Sequence, residues 1–525
     1  MFHPFLLSVY PVLYLLSKNL GEVPLEHVMR STFVLVAASA CLFLILALVS
    51  RNAPLAGLRT SLFLVFLFSP AGLEELEARF GALDAAWGLA LVASALTALA
   101  LLAGRLVENW SRFTRVLNVG AAALCVLPLC QIGMYLAQPR EEAVPDVATV
   151  HPMAVDAGFE TPPGTLPDIY YIVLDAYTRA DTLRKFYDYD NSEFVAFLRR
   201  KGFSVAEKSF SNYTHTRAVV PAVLNFEYVD PGASSAGHES TDTASLTRRT
   251  YHNKVVSILK AQGYRIVNIM SGPGFVSVAD AERIRLKSPR EFTNEFEQAL
   301  MQMTWLPSLS QIPPTGSRSE RQSVDRELVE FAIAQLAAQP ETPGPKFVFA
   351  HIKSPHAPFV FGPRGEPRDL RLRYFVEHSP LELRTYMQAY ADQVHYLNVL
   401  MKDVIERILS DSETPPVVVL QGDHGLRLFG SRDVEETCLT ESFSILNAFH
   451  LPGKDGASRF YESISPVNTF RLIFDTYFGS SLGLLQDRSY HTSRDDFGIF
   501  RFADVTQRVD SCAPLWRERL RGLRE

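Results

Sequence analysis

Apolar residues are concentrated in the first 137 positions, and this uneven distribution constrains the fold more than any other feature of the chain. Five runs with few charges lie there, at residues 5–16, 32–50, 58–71, 85–103 and 116–137. A helix needs about 20 apolar residues to cross a bilayer, so the second, fourth and fifth runs predict spanning helices directly, whereas the first and third need flanking residues. A cleavable signal peptide would account for one run only. We therefore predict a domain of five transmembrane helices at residues 1–137.

The basic residues between these runs predict the orientation of the domain. Five arginines lie near the loops after the second and fourth runs, whereas three basic residues lie near the alternate loops. By the positive-inside rule, the N-terminus then lies in the cytoplasm and everything after residue 137 lies outside it. We expect an integral protein of a bacterial inner or plasma membrane with an extracytoplasmic domain. The net charge of −6 gives no indication of a nucleic-acid partner.

The rest of the chain has the composition of a soluble protein and divides into a linker and a domain. Residues 138–166 contain five prolines and no periodic pattern, as a linker should. Apolar segments after it predict buried strands: "DIYYIVLDAY", "YRIVNIM", "KFVFAHI", "PVVVLQG" and "SFSILNAF". Helical patterns lie between them: "SEFVAFLRRKG", "NKVVSILKAQG", "DRELVEFAIAQLAAQ" and the segment from "PLELRTY" to "VIERILS". At residues 167–525 this alternation predicts an α/β domain with a mostly parallel sheet between helices.

Titratable side chains follow three of the predicted strands. Asp175 ends the first strand, His351 and His356 come at the end of another, and Asp423 and His424 follow a third. In parallel sheets the functional residues lie beyond the carboxyl ends of the strands, so we expect these side chains to meet at one edge. Each alone is weak evidence, because an aspartate after a strand is often a helix cap. Their order along the chain is more specific.

That order is a strand ending "VLDAY", then "SNYTHTRAVVPAVLN", then "SPHAPF", then "GDHG", and it resembles the alkaline phosphatase and sulfatase superfamily. Within it the chain is most similar to the membrane-embedded branch of phosphoethanolamine transferases and lipoteichoic acid synthases. The resemblance implies an alkaline-phosphatase-like fold, five membrane helices and an extracytoplasmic catalytic domain. The motif matches are confined to these four short segments.

The resemblance also implies a role for each matching residue. Asp175, Asp423 and His424 match the metal ligands of that branch, and Thr216 matches a nucleophilic threonine that also contacts the metal. Pro221 keeps the five-residue spacing of the family from the nucleophile to a proline. Two carboxylates, one imidazole and an alkoxide suit one zinc ion, although mixed oxygen and nitrogen ligands also admit manganese or magnesium.

Further residues of these segments are candidates for substrate binding. His356 matches the histidine that holds the substrate phosphate, and a protonated imidazole there would neutralise charge on the phosphoryl oxygens. Arg217 and Lys353 are additional candidate phosphate contacts. Thr214 is the rival nucleophile, two residues before Thr216, and either threonine is also a favourable helix cap.

The chain departs from the family pattern in three places. No cysteine or serine stands in a "CxPSR" type signature, which argues against formylglycine and therefore against a sulfatase. No "DxxxH" segment supplies ligands for a second metal. The transferases have a further histidine after the Asp-His pair, whereas here only His450 and His491 follow, outside any matching motif.

The function that these expectations favour is a metal-dependent membrane transferase. It would move a phospholipid-derived headgroup, of phosphoethanolamine or phosphoglycerol type, to a cell-envelope glycan or lipid through a phosphothreonine intermediate. Two alternatives stay open: a membrane-anchored phosphodiesterase, phosphatase or sulfatase-like hydrolase, and an inactive scaffold of envelope assembly. The sequence also leaves open whether Cys438 and Cys512 pair, and whether "ALMQMTWLPSL" near residue 300 is core or a membrane-interfacial segment, with core favoured.

Overall fold

The computed structural model describes residues 1–18, 25–68, 107, 109–137, 166–229, 243–272, 274–286, 295–304, 318–368, 380–431, 433–453, 457–492 and 502–516. The predicted membrane run at 85–103 and nearly all of the predicted linker lie outside these residues. The chain forms two compact units, Met1–Arg140 with Pro289–Arg321, and Glu141–Ser288 with Gln322–Glu525.

The helices and strands of the described residues are numbered in chain order. The α-helices are α1 (His3–Lys18), α2 (Leu25–Ser50), α3 (Ala53–Leu67), α4 (Trp110–Ala137), α5 (Ala180–Tyr187), α6 (Ser192–Arg200), α7 (Thr216–Leu224), α8 (Ala244–Tyr251), α9 (Lys254–Ala261), α10 (Glu295–Gln302), α11 (Arg318–Ala337), α12 (Pro380–Asp411), α13 (Leu439–Phe443) and α14 (Thr469–Tyr477). The strands are β1 (Ile169–Leu174), β2 (Ser204–Val205), β3 (Arg265–Met270), β4 (Glu282–Ile284), β5 (Lys346–Ile352), β6 (Val417–Gly422), β7 (Asn447–His450), β8 (Tyr490–Thr492) and β9 (Phe502–Asp504).

The first unit contains the apolar helices. Val28–Ser50 and Trp110–Tyr135, with mean hydropathies of 2.8 and 1.8, are long and apolar enough to cross a bilayer. The helices at the first and third predicted spans, α1 and α3, are apolar but shorter. Two of the five predicted spans therefore have the length and composition of a transmembrane helix in the part of the chain that the structure describes.

Helix α10 returns to this first unit from a distant part of the sequence. Phe296 and Leu300 are buried against Val12, Leu16 and Val28 of α1 and α2. The described part of the "ALMQMTWLPSL" segment therefore contributes to a core, as the sequence favoured.

The second unit is built on a seven-stranded sheet in the order β2-β7-β6-β1-β5-β3-β4. β1 pairs in parallel with β5 and with β6, β5 pairs in parallel with β3, and β3 pairs in parallel with β4, whereas β7 runs antiparallel to β6 and β2. The predicted α/β domain with a mostly parallel sheet is confirmed. All six residues of β1 are buried, as expected of a central strand covered on both faces.

Alternate residues of β1 point into two separate apolar layers. Tyr170, Ile172 and Leu174 pack with the large cluster that includes α12, whereas Tyr171 and Val173 pack with the cluster on the opposite face, which includes α7, α9 and α14. Because side chains alternate along a strand, helices on both faces are needed to bury them. The two layers thus bury β1 on both faces.

One predicted strand is wrong in part. Of "SFSILNAF", only the last three residues lie in β7, Ser442 and Phe443 belong to α13, and residues 444–446 belong to neither element. There the amides of Ser442 and Ser444 donate to the carbonyls of Cys438 and Thr440, so the backbone is satisfied within one helical turn. Strands β2, β4, β8 and β9 escaped prediction because two or three residues carry no periodic pattern.

Candidate metal centre and nucleophile

Parallel pairing of three strands brings the predicted acidic residues together. In the register of the sheet, Leu174 is opposite both Ile352 of β5 and Gly422 of β6. Asp175 and Asp423 are therefore the first residues after two adjacent strands. His351 is the second-last residue of β5, opposite Val173. The sheet edge thus collects two carboxylates and an imidazole in one place, as the sequence predicted.

Two glycines explain why an Asp-His pair can follow a buried strand so closely. A Cβ atom on Gly422 would collide with the carbonyl of Tyr177, and one on Gly425 would collide with the carbonyl of Glu441. The amides of both glycines donate to backbone carbonyls, Gly422 to Leu446 at 2.7 Å and Gly425 to Ser442 at 2.9 Å. The "GDHG" segment is therefore clamped between neighbouring backbones on either side of the Asp-His pair.

Asp423 is held by three hydrogen bonds. Its Oδ1 accepts from the amides of Ala176 and His424, each at 2.9 Å, and its Oδ2 accepts from the Thr216 hydroxyl at 2.7 Å. Burial alone would raise the pKa of Asp423, but His424, His351 and the Thr216 hydrogen bond hold it below its ordinary value. Asp423 is therefore an ionised carboxylate.

Asp175 lies beside Asp423, but its pKa is shifted in the opposite direction. It is buried, and its Oδ1 has no hydrogen-bond partner. Burial, reinforced by the charge of Asp423, raises the pKa of Asp175 well above its ordinary value. A buried carboxylate without a donor is costly, and a cation between the two carboxylates would remove that cost.

His424 presents a ring nitrogen to the same point. Its Nδ1 lies 2.7 Å from the Gly425 carbonyl and donates to it, so Nε2 carries the lone pair of the neutral ring. Nε2 lies 3.4 Å from Asp423 Oδ2, 3.6 Å from Asp175 Oδ1 and 3.3 Å from Thr216 Oγ1. Burial lowers the pKa of His424 to about 4, so the ring is neutral near pH 7. A carbonyl that fixes the tautomer in this way is typical of metal-binding histidines.

The sequence did not assign a ligand role to His351, but the structure brings it into the cluster. Its Nε2 lies 3.9 Å from Asp175 Oδ2, and neither ring nitrogen has a hydrogen-bond partner although the residue is fully buried. Asp175, His351 and Asp423 each offer one ligand atom, and these atoms lie within 4.8 Å of one another. The signal that was available is a histidine at the end of an otherwise apolar strand, "KFVFAHI".

These donors suit a divalent cation. Two carboxylates and two neutral imidazoles converge, and three of their buried atoms, Asp175 Oδ1 and both nitrogens of His351, lack any other partner. Oxygen and nitrogen donors of this kind fit zinc and also admit manganese. Asp175, Asp423, His424 and Thr216, the four ligands expected from the sequence, lie close together, and His351 is an additional candidate ligand.

The geometry separates the two candidate nucleophiles. Thr216 is the first residue of α7, and its hydroxyl contacts Asp423 and His424. Thr214 Oγ1 instead contacts Thr492 Oγ1 at 2.9 Å and His215 Nδ1 at 3.1 Å. Thr216 therefore faces the cluster from the N-terminal end of a helix, the end that favours negative charge.

The three predicted substrate-binding residues, His356, Lys353 and Arg217, make different contacts. His356 is brought to the cluster, because its ring centroid lies 6.2 Å from that of His424. Burial lowers the pKa of His356 to about 3, so its ring is neutral, whereas the sequence suggested a protonated imidazole. Lys353 Nζ lies 3.3 Å from Asp325, and the Arg217 guanidinium donates to Thr243 and lies 4.2 Å from the centre of the Phe275 ring.

The two late histidines lie in different places. His450 Nδ1 is 2.8 Å from the carbonyl of Pro416, the residue before β6, so it lies at the edge of the sheet away from the cluster. His491 is buried and lines a small cavity together with Thr214, His215 and Arg427. Neither contacts the Asp-His pair in the described residues.

Comparison with known proteins places this arrangement in a family. Residues 168–461 match the family model described as Sulfatase, which is more than half of the chain. The C-terminal periplasmic domain of EcEptC from Escherichia coli, in complex with Zn, aligns at 11% identity over 66% of this chain and 95% of that one, with a TM-score of 0.42. The soluble domain of lipooligosaccharide phosphoethanolamine transferase A from Neisseria meningitidis aligns at 14% identity over 60% and 90%, with a TM-score of 0.40.

A sulfatase aligns with similar quality. The 2-O GAG sulfatase BT1596 matches at 12% identity over 64% of this chain and 78% of that one, with a TM-score of 0.35. No curated protein matches the sequence.

Proposed function

The chain belongs to the sulfatase family, and we propose that it is a metal-dependent transferase that moves a phospholipid headgroup phosphate through Thr216. The observation that carries this proposal is the Thr216 hydroxyl, which donates to Asp423 over 2.7 Å inside a buried cluster of carboxylates and imidazoles. A hydroxyl nucleophile needs activation near neutral pH, and this cluster is built to supply it.

Threonine favours phosphoryl transfer over sulfate ester hydrolysis. Formylglycine is an aldehyde formed from a primary thiol or alcohol, whereas Thr216 carries a secondary alcohol, which oxidises to a ketone. The residue therefore acts as a hydroxyl. A hydroxyl that attacks a phosphodiester forms a phosphate ester and displaces the original alcohol.

The proposed reaction has two balanced steps. In the first, the bond from Thr216 Oγ1 to phosphorus forms, the bond from phosphorus to the diacylglycerol oxygen breaks, and that oxygen takes up the proton lost by Thr216. In the second, the hydroxyl oxygen of a glycan or lipid acceptor bonds to the phosphorus of the phosphothreonine, the bond from phosphorus to Thr216 Oγ1 breaks, and Thr216 Oγ1 takes up the proton lost by the acceptor. Water in place of the acceptor would give hydrolysis, which the same site would support.

The residues of the cluster have separate roles in this scheme. Asp175, Asp423, His424 and His351 would hold a divalent cation, zinc being the best fit and manganese or magnesium the alternatives. When bound, the cation supplies Lewis-acid stabilisation of the threonine alkoxide and of phosphoryl charge. Asp423 orients the Thr216 hydroxyl, and the clamp at Gly422 and Gly425 fixes Asp423.

The apolar helices of the first unit support a lipid donor. Val28–Ser50 and Trp110–Tyr135 are long enough to anchor the chain in a membrane, where phospholipid is the abundant phosphodiester. A disulfide between Cys438 and Cys512 in the second unit fits an extracytoplasmic location, because disulfides persist in oxidising compartments. We accordingly place the second unit outside the cytoplasm, with a cell-envelope glycan or lipid as the acceptor.

Labelled lipids test the proposal directly. Purified full-length protein is incubated with labelled phosphatidylethanolamine or phosphatidylglycerol, with and without chelator, and diacylglycerol release is measured. The proposal predicts release from at least one lipid, its loss with chelator, and its loss in Thr216→Ala. Free headgroup phosphate as the sole second product would indicate a hydrolase. If metal-loaded protein releases diacylglycerol from neither lipid, the phospholipid donor is rejected. That result is the one expected of an inactive scaffold.

A further inference from the structure

Two prolines limit the backbone hydrogen bonds within the loop that carries His356. This loop follows β5 at residues 353–361, and the prolines at 355 and 358 have no amide hydrogen to donate. Other polar groups of its backbone therefore need partners elsewhere in the fold. One side chain, that of Gln393 near the middle of α12, bonds to four of them and is 1% exposed.

Gln393 uses both ends of its amide on this loop. Its Nε2 donates to the carbonyls of Pro355 at 3.1 Å and His356 at 3.2 Å. Its Oε1 accepts from the amides of Val360 at 2.8 Å and Phe361 at 3.3 Å. A glutamine amide has two donor hydrogens and one oxygen with two lone pairs, so its full hydrogen-bonding capacity is engaged. A side chain without both kinds of group could not replace it.

The same helix is also bonded to the loop of the candidate metal ligand Asp175. One turn earlier on α12, the Tyr390 hydroxyl donates to the Ala176 carbonyl at 2.7 Å and accepts from the Thr178 amide at 3.1 Å. The two loops are joined directly as well, because the His356 amide donates to the Asp175 carbonyl at 2.9 Å. Helix α12 therefore fixes the position of the histidine relative to the metal ligand.

Aromatic packing lays the C-terminal part of the same loop against α12. Ring centroids lie 4.7 to 6.0 Å apart in three pairs, Phe359 with Tyr386, Phe359 with Tyr390, and Phe361 with Tyr396. Such pairs stabilise a contact beyond the area that they bury. The amide of Gln393 then connects this packed part of the loop to the part that contains His356.

We propose that Gln393 is a positioning residue, which sets the His356 imidazole where it contacts the phosphoryl group held by the metal ligands. The ring centroid of His356 lies 6.2 Å from that of His424. The ring is oriented by its own backbone, because Nδ1 donates to the Ala357 carbonyl at 2.7 Å. A shift of the backbone that Gln393 holds would therefore move the imidazole. This inference rests on the proposed function of the site and adds a residue that acts through His356.

Phosphate affinity tests the inference without turnover. Metal-loaded full-length protein is titrated with inorganic phosphate by calorimetry, a suitable probe because its hydroxyl can donate to a neutral imidazole. Gln393→Met removes the amide at similar size and should weaken binding by roughly 10-fold, with bound divalent metal unchanged by elemental analysis. Gln393→Glu keeps the shape but has no amide donors for the two carbonyls, so it should also weaken binding. Either variant that folds serves in the next experiment.

A double-mutant cycle with His356→Ala separates positioning from general support of the fold. His356→Ala alone should weaken phosphate binding by roughly 10-fold or more. Adding the Gln393 substitution should cause no further loss, because the glutamine acts through the imidazole. Losses that multiply would overturn the assignment. Unaltered affinity in the Gln393 variants, or loss of their metal, would overturn it too.

Asn398 provides the matched control, since it is a second buried amide on α12. Its side chain bonds to those of Tyr177, Tyr189 and Asn191. Asn398→Leu should lower the melting temperature but leave phosphate affinity unchanged, and an affinity loss equal to that of Gln393→Met would overturn the inference. A parent protein that binds no phosphate would do so as well. If the parent binds phosphate but releases no diacylglycerol, the proposed function fails, and the titration still decides the role of Gln393.

Discussion

The Thr216 hydroxyl donates to the Asp423 carboxylate at 2.7 Å, although 207 residues of chain separate them. This contact joins the start of α7 to the end of β6 and places a hydroxyl beside two carboxylates and an imidazole. Thr214, two residues earlier, makes its contacts with His215 and Thr492 instead. The choice between two nearby threonines therefore depends on tertiary structure.

Substitution at the two threonines should have unequal effects. Thr216→Ala should lower the rate of diacylglycerol release by about 10³-fold or more, because no other described hydroxyl contacts Asp423 Oδ2. Thr216→Ser keeps the hydroxyl and should retain measurable activity. Thr214→Ala serves as the comparison and should stay active. An inactive Thr214→Ala protein together with an active Thr216→Ala protein would transfer the role of nucleophile to Thr214.

The two buried aspartates should respond oppositely to neutralisation in metal-free protein. In the metal-free protein, burial and the charge of Asp423 raise the pKa of Asp175 well above its ordinary value, and its Oδ1 has no partner. Asp175→Asn removes the cost of burying that carboxyl group, so the melting temperature should rise. Asp423→Asn weakens an acceptor of three hydrogen bonds, so the melting temperature should fall. Both variants should lose bound divalent metal, as measured by elemental analysis. A stable Asp175→Asn protein that retains its metal would remove Asp175 from the ligand set.

Acid should destabilise the metal-free protein through its buried histidines. Burial lowers the pKa of His356 to about 3 and that of His424 to about 4 from an ordinary value of 6.5. Between these pKa values the unfolded chain binds protons that the folded chain does not bind. The free energy of unfolding is therefore highest above pH 6.5 and falls as the pH falls toward 4. Melting temperature measured against pH should be less steep in this window for His356→Gln. The exposed His395→Gln is the control, and equal slopes for all three proteins would contradict the prediction.

The disulfide should stabilise the loop that follows the metal ligands. Cys438 precedes α13 and is joined to Cys512, 74 residues later. Closing a loop of this length should contribute about 2–4 kcal/mol to the free energy of unfolding. The free energy of unfolding of the Cys438→Ser, Cys512→Ser double variant should be lower by that amount, and its denaturant midpoint should fall accordingly. Unchanged unfolding midpoints under oxidising conditions would show that the bond contributes nothing in solution.

Much of this site follows from the sequence because strand ends are local signals. β1, β5 and β6 are continuous apolar segments, and each ends in or beside a titratable residue, so the edge at which Asp175, Asp423 and His424 meet is predictable. The sequence also shows glycines at 422 and 425. It does not show why glycine is needed there, which is the close approach of the Tyr177 and Glu441 carbonyls.

Other features depend on partners far away in the chain. His351 lies within a strand, and only its burial without a hydrogen-bond partner marks it as a candidate ligand. His356 is neutral because it is buried, and a short sequence motif does not reveal burial. Pairing of Cys438 with Cys512 likewise needs the fold to bring them together.

Peptide mapping by mass spectrometry after brief exposure of metal-loaded protein to phospholipid, without acceptor, tests the central claim most directly. The account predicts the headgroup phosphate as an ester on Thr216, absent with chelator and absent in Thr216→Ala. Diacylglycerol release with Thr216 unmodified throughout, or an ester on a different residue, would contradict it.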